Sequence, residues 1–212
     1  MTELVLVRHA ETIWHAENRY AGKTDVELAE KGREQARRLA LWAGQAGLTA
    51  MWTSPLSRCR LTAAPSSVAT ELEPIVDERL RELDFGSLDG KTKSEAKAAF
   101  PQMMEAYLRD PVANHFRDGE PPREAAARAI ACFSDIAARH PEGRVMVVAH
   151  STLIRLALCG LLGIDMAQYR LRFPRLINCS LTEITLVDGE AGLLSLNVPV
   201  DFAIAPREDA PS

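Results

Sequence analysis

Two short apolar runs, at 4–7 and 145–149, stop abruptly at chemically active side chains: Arg8 and His9 after the first, His150 after the second. A strand that is apolar at every position needs cover on both faces, as in a parallel sheet between helical layers. The two runs are therefore expected to be central parallel strands. Helical periodicity separates them at 29–46, at 55–64 and at 122–139, where Ala126, Ile130, Phe133 and Ala137 recur at steps of three and four. Shorter extended pieces fall at 49–53 and 74–77. Residues 179–187 and 193–198, with Asp188-Gly189 between them, read as an antiparallel hairpin at the sheet edge. The expected fold is an α/β protein: a three-layer α/β/α sandwich with a mostly parallel central sheet, an antiparallel edge hairpin and right-handed crossovers. A lid-like insertion at 88–120 interrupts the alternation. Its helix start is marked by the capping box Thr92-x-x-Glu95, and Pro101, Pro111, Pro121 and Pro122 break it.

A chain of 212 residues, 47% of them hydrophobic, suits one domain at 1–200 with the insertion placed over the strand ends. The segment 201–212, which closes on PREDAPS, is expected to be a disordered tail. The net charge of -4 provides no global field for nucleic acid or an anionic membrane, so any anionic ligand must meet local positive charge. Cys59, Cys132, Cys159 and Cys179 show no C-x-x-C spacing, and the start lacks a basic segment followed by a long apolar run. These features suggest a cytoplasmic protein with reduced thiols. The apolar-leaning stretch 153–164 contains Arg155 and is too short to span a bilayer.

In open α/β sheets ligands sit beyond the carboxyl ends of the strands, where Arg8, His9 and His150 are expected. Arginine offers a planar fork that suits phosphate, and neutral histidine is a nucleophile toward phosphorus when one ring nitrogen is free. Further on, TSPLSRCRLTAAP at 53–65 reads as a strand end, a Ser54 cap and a helix opened by Pro55, with Arg58 in its first turn. Helix dipoles do not favour arginine there, so a local anion would account for it. The five histidines show no metal-ligand spacing, with His115 in the insertion and His140 at a helix end, and Arg170, Arg172 and Arg175 read as a solvated face.

The chain resembles the histidine phosphatase superfamily, whose best-known branch is the cofactor-dependent phosphoglycerate mutases. The motifs carrying the resemblance are LVLVRHAET at 4–12, D-x-x-L-x-x-x-G-x-x-Q-A from Asp25 to Ala36, SPLSRCRLTA at 54–63, LRELDFGSLDG at 80–90, GE at 119–120 and VVAHSTLIR at 147–155. The resemblance implies that His9 becomes phosphorylated, that Arg8 and Arg58 hold the phosphoryl group, that His150 is the second pocket histidine, and that Glu82 is the general acid and base. It also places Thr12, His15 and Ser151 at substrate-binding positions. Three departures from the family pattern stand out: Ala10 and Ser151 replace the glycines after the two histidines, and His15 replaces a frequent asparagine. Ser151 is expected to cap the following helix, and His15 to add a phosphate donor below about pH 6.5. Neither a cofactor nor a metal is required.

The reaction expected is hydrolysis of a small phosphomonoester. The insertion, at roughly thirty residues, is shorter than the family's mutases use to exclude water. Phe85, Lys91, Tyr107, His115 and Arg117 are its possible substrate selectors. Phosphoglycerate mutase chemistry on the same intermediate, and a phospho-ligand-binding module without turnover, are the alternatives. The implied partner is a small molecule, neither nucleic acid nor membrane, and a homodimer is left open.

Overall fold

The computed structural model describes residues 1–203. In chain order the elements are β1 (Thr2–Arg8), α1 (Glu30–Ala43), β2 (Ala50–Thr53), α2 (Ser57–Thr70), β3 (Ile75–Val76), α3 (Lys93–Ala99), α4 (Pro101–Arg109), α5 (Pro122–Arg139), β4 (Arg144–Ala149), α6 (Ser151–Leu161), α7 (Tyr169–Arg172), β5 (Leu181–Val187), β6 (Glu190–Val198) and α8 (Val200–Ala203), joined by short turns and single 3-10 turns.

Side chains alternate faces along a strand, so an all-apolar strand feeds two cores. Leu4 and Leu6 of β1 enter one core with Ala126 and Phe133 of α5 and Leu153 and Leu156 of α6. Val5 and Val7 enter the other with Leu39 and Trp42 of α1 and Cys59 and Ala63 of α2. The result is three layers, with the sheet in the middle. The strand order is β3-β2-β4-β1-β5-β6; the first four run parallel, β5 is antiparallel to β1, and β6 is antiparallel to β5. The two apolar runs are neighbours, since Leu4 pairs with Val145 and Arg8 with Ala149. His9 and His150 therefore leave the sheet side by side, and the His9 N–H donates to the Ala149 carbonyl at 2.9 Å.

Helix α5 occupies the residues expected of it, and the capping box at Thr92 and Glu95 is present. Helix α2 differs. It begins at Ser57 rather than Pro55 and continues through Pro65 to Thr70. The carbonyl that Pro65 cannot address belongs to Leu61, which is 40% exposed, so water can take its place while Cys59, Thr62 and Ser66 stay buried on the other side. The hairpin turn is tighter than expected, because β6 starts at Glu190 directly after Asp188 and Gly189. Both turn residues have positive φ, 51° and 86°, as a primed turn demands. The tail expected from 201 starts instead inside α8, where Asp201 pairs with Arg38 of α1 at 3.0 Å; residues 204–212 lie outside the described residues. No helix among the described residues is long and apolar enough to cross a membrane.

Candidate active site

His9 is 5% exposed, and its Nδ1 lies 2.8 Å from the Ala10 carbonyl oxygen. A carbonyl only accepts, so Nδ1 carries the hydrogen and a neutral ring keeps its lone pair on Nε2. Burial, followed by the positive charges of Arg58 and Arg8, holds the ring well below the usual histidine value and keeps it neutral. The loop that follows is moored from two sides. The Ala10 N–H donates to Thr62 Oγ1 at 3.0 Å and the Glu11 N–H to Gln35 Oε1 at 2.9 Å.

This mooring explains the motif that runs from Asp25 to Ala36. Leu28 and Ala36 are core residues, Gln35 holds Glu11, and Gly32 lies so close to the Glu11 carbonyl that a Cβ would come within 2.0 Å of its oxygen. Asp25 does something else: its Oδ1 accepts from the Ser57 N–H at 2.8 Å and from the Ser57 hydroxyl at 2.6 Å, capping α2 from another loop. Ser54, expected as that cap, lies ahead of the helix. Its hydroxyl pairs with His150 Nε2 at 2.7 Å.

Arg58 is fully buried in the first turn of α2 but does not line the cavity. Its Nε donates to His150 Nδ1 at 3.3 Å, Nη1 to the Thr24 carbonyl at 2.8 Å, and Nη2 to the Gly22 carbonyl at 2.7 Å. His150, also fully buried, stands edge-on to His9 with ring centroids 5.3 Å apart. Because Nδ1 accepts from Arg58, its hydrogen sits on Nε2 and is donated to Ser54. Burial, with Arg58 second, pushes His150 well down as well.

Arg8 donates through Nη1 to the Leu176 carbonyl at 2.5 Å and through Nη2 to His15 Nε2 at 2.7 Å, while its buried Nε finds no partner among the described residues. Burial and the neighbouring Arg155 bring the guanidinium down to about 10. His15 faces Thr12 Oγ1 at 2.8 Å through Nδ1. Burial and Arg8 lower it to about 4, which works against the phosphate donor expected below pH 6.5. A neutral ring that accepts from Arg8 takes its place, with Asn178 3.2 Å from the same nitrogen.

The Glu82 carboxylate lies at the start of α6. Oε1 accepts from the Leu83 and Leu153 N–H groups, both at 2.9 Å, and Oε2 accepts from the Thr152 N–H at 3.0 Å. Glu82 thus caps α6, the role expected of Ser151, which occupies the first helical position. The loop carrying Glu82 is tied down by Arg128, which pairs with Glu120 at 2.7 Å and donates to the carbonyls of Arg79, Arg81 and Glu82. Gly119, the other half of the GE motif, lies where a Cβ would come within 2.5 Å of the Asp84 carbonyl oxygen.

Arg8, His9, Thr12, His15, Glu82 and Ser151 come together on the wall of one cavity of about 400 Å³. Of the selectors expected in and before the insertion, Phe85 lines it; Lys91, Tyr107, His115 and Arg117 do not. The insertion braces the wall from outside, with the Tyr107 ring against Tyr20 and under Arg170. Sequence reasoning missed Arg155, Tyr169, Arg170 and the loop from Asn18 to Ala21, all of which contribute to the lining. For Arg155 a signal was present: it stands four residues, about one helical turn, after Ser151. Among the described residues no three His, Cys, Asp or Glu side chains group as a metal site would require.

The histidine phosphatase superfamily (branch 1) profile matches residues 4–199. Among curated relatives, phosphoserine phosphatase 1 of Hydrogenobacter thermophilus is 33% identical over 80% of this chain and 80% of its own length. The probable phosphoglycerate mutase GpmB of an Enterobacter species is 34% identical over 87% of this chain and 85% of its own. Bacillus stearothermophilus YhfR superposes with a TM-score of 0.87 at 29% identity, covering 93% of this chain and 98% of that one. A mycobacterial glucosyl-3-phosphoglycerate phosphatase in complex with VO3 gives 0.85 at 30% identity, covering 92% and 98%. With the match spanning nearly all of the chain, this protein is an enzyme of the histidine phosphatase superfamily.

Proposed function

We propose that the enzyme hydrolyses small phosphomonoesters through a phosphohistidine on His9, and the observation that carries the proposal is the state of that ring. Nδ1 is committed to the Ala10 carbonyl, so the lone pair of Nε2 is the nucleophile, and burial beside two arginines keeps it unprotonated. The Nε of Arg8, without a partner among the described residues, is a donor for a phosphoryl oxygen, with Thr12, His15 and Ser151 lining the same cavity. Arg58 contributes charge from beneath and holds His150 beside His9. As Nε2 attacks phosphorus, the P–O bond to the alcohol breaks and Glu82 protonates the departing oxygen. Glu82 then takes a proton from the water that cleaves phosphohistidine. Oε2 suits this exchange, since it has one N–H partner where Oε1 has two.

Hydrolysis is favoured over mutase chemistry because no residue of the 88–120 insertion lines the cavity among the described residues, so water has access to the phosphoenzyme. The test is to measure phosphate release from a panel of phosphomonoesters and the interconversion of 3- and 2-phosphoglycerate on one preparation. Release is expected to dominate without a bisphosphoglycerate primer. Dominant, primer-accelerated interconversion would make the enzyme a mutase.

A further inference from the structure

The proposed nucleophile is held in one tautomer by a single contact, from His9 Nδ1 to the Ala10 carbonyl oxygen at 2.8 Å. Which nitrogen of a neutral imidazole keeps its lone pair is set by the hydrogen bond that the other nitrogen makes. The direction of the Ala10 carbonyl therefore decides whether Nε2 can attack. That carbonyl shares a planar peptide unit with the Glu11 N–H, and in a trans unit the two groups point opposite ways. Fixing the N–H fixes the carbonyl. The Glu11 N–H donates to Gln35 Oε1 at 2.9 Å.

Gln35 stands on α1, which is pressed against this loop. Gly32, one turn earlier on the same helix face, lets α1 approach the Glu11 carbonyl, and the Ala29 N–H donates to that carbonyl at 2.9 Å. The preceding peptide unit is held independently. Its N–H, from Ala10, donates to Thr62 Oγ1 at 3.0 Å, and its carbonyl, from His9, accepts from Asn178 Nδ2 at 2.8 Å. The Thr62 hydroxyl in turn donates to the Arg58 carbonyl at 2.6 Å. All four polar groups of the two units thus have partners, but it is Gln35 that grips the unit whose carbonyl faces the ring.

We infer that Gln35 is a positioning residue for the nucleophile: from α1, behind the cavity wall, it sets the His9 tautomer through the peptide unit between Ala10 and Glu11. The kinetic consequence rests on the phosphohistidine reading, whereas the tautomer itself does not. Without the Gln35 acceptor the unit is free to tilt, and the ring hydrogen exchanges between Nδ1 and Nε2. The form with hydrogen on Nε2 has no lone pair to present to phosphorus.

The test combines ¹⁵N NMR of the histidine rings at neutral pH with kinetics, on the full chain. A ring nitrogen that bears hydrogen and one that keeps its lone pair have separate ¹⁵N shifts, and the His9 signals are those missing from His9→Ala. The wild type should show one form, with hydrogen on Nδ1. Gln35→Met, similar in length and a good helix former, should show a mixture of the two forms. Phosphoenzyme formation in that variant should slow about tenfold or more, as for a misplaced reacting group, while the inhibition constant of inorganic phosphate stays close to the wild-type value. Gln35→Glu, which keeps an acceptor for the Glu11 N–H, should restore both the tautomer and the rate. Gln35→Ala repeats the measurement should methionine disturb the packing. A wild-type ring with its hydrogen on Nε2 would overturn the inference. So would Gln35→Met and Gln35→Ala proteins that keep the wild-type tautomer, whatever their rates, because Gln35 would then serve the packing alone. Failure of the phosphatase reading looks different: the tautomer responds to Gln35 as expected, but the wild type turns over no phosphomonoester.

Discussion

At the scale of single residues, the site runs on neutral histidines held among arginines. His9 and His150 are pushed well below 6.5 and His15 to about 4, in each case first by burial and then by a neighbouring guanidinium. This has a consequence for stability whose sign is fixed. In the unfolded chain these rings take up protons below about 6.5, whereas in the folded protein they stay neutral, so the unfolded state binds more protons and stability falls as pH drops below 6.5. The share from His15 is spent near pH 4. The urea midpoint should therefore decrease between pH 7 and 5, before most carboxylates titrate, and His15→Asn should make that slope shallower. A midpoint that is flat over this range would contradict the protonation states on which the nucleophile depends. Little of this could be read from the letters: His15 reads as a titratable donor until Arg8 is found 2.7 Å from its Nε2.

At the scale of elements, two helices start at the carboxyl ends of adjacent parallel strands, and neither is capped by its own residue. Asp25 caps α2 and Glu82 caps α6, each reaching in from a distant loop. Sequence reasoning assigned both caps locally, to Ser54 and Ser151, because a capping signature is a short-range pattern and a carboxylate brought in by the fold leaves none. The same arrangement makes Glu82 part of the helix start as well as the proposed acid. Glu82→Gln keeps an amide oxygen for the backbone N–H groups but has no proton to give. Alkyl phosphates, whose alkoxides need protonation, should slow by about 10² or more, and aryl phosphates with good leaving groups much less. Equal losses for both kinds would reduce Glu82 to its role as a cap.

At the scale of the whole molecule, the architecture was legible because its strongest signals are periodic. Continuous apolar strands at 4–7 and 145–149 fixed the centre of the sheet, and the three- and four-residue spacing at 122–139 gave α5 its bounds. The cavity wall was only half legible. Arg8, His9, Glu82 and Ser151 stand in motifs, but Arg170 had looked like a solvated charge because its place depends on how α7 folds back over Tyr107 of the insertion. The proposed chemistry turns on one covalent bond, from phosphorus to Nε2 of His9. Brief incubation with a ³²P-labelled phosphomonoester, denaturation in alkali and mapping of the labelled peptide tests it directly. Label is expected on His9, surviving alkali, lost in acid and absent from His9→Ala. Label that survives acid, or that persists in the His9→Ala protein, would contradict it.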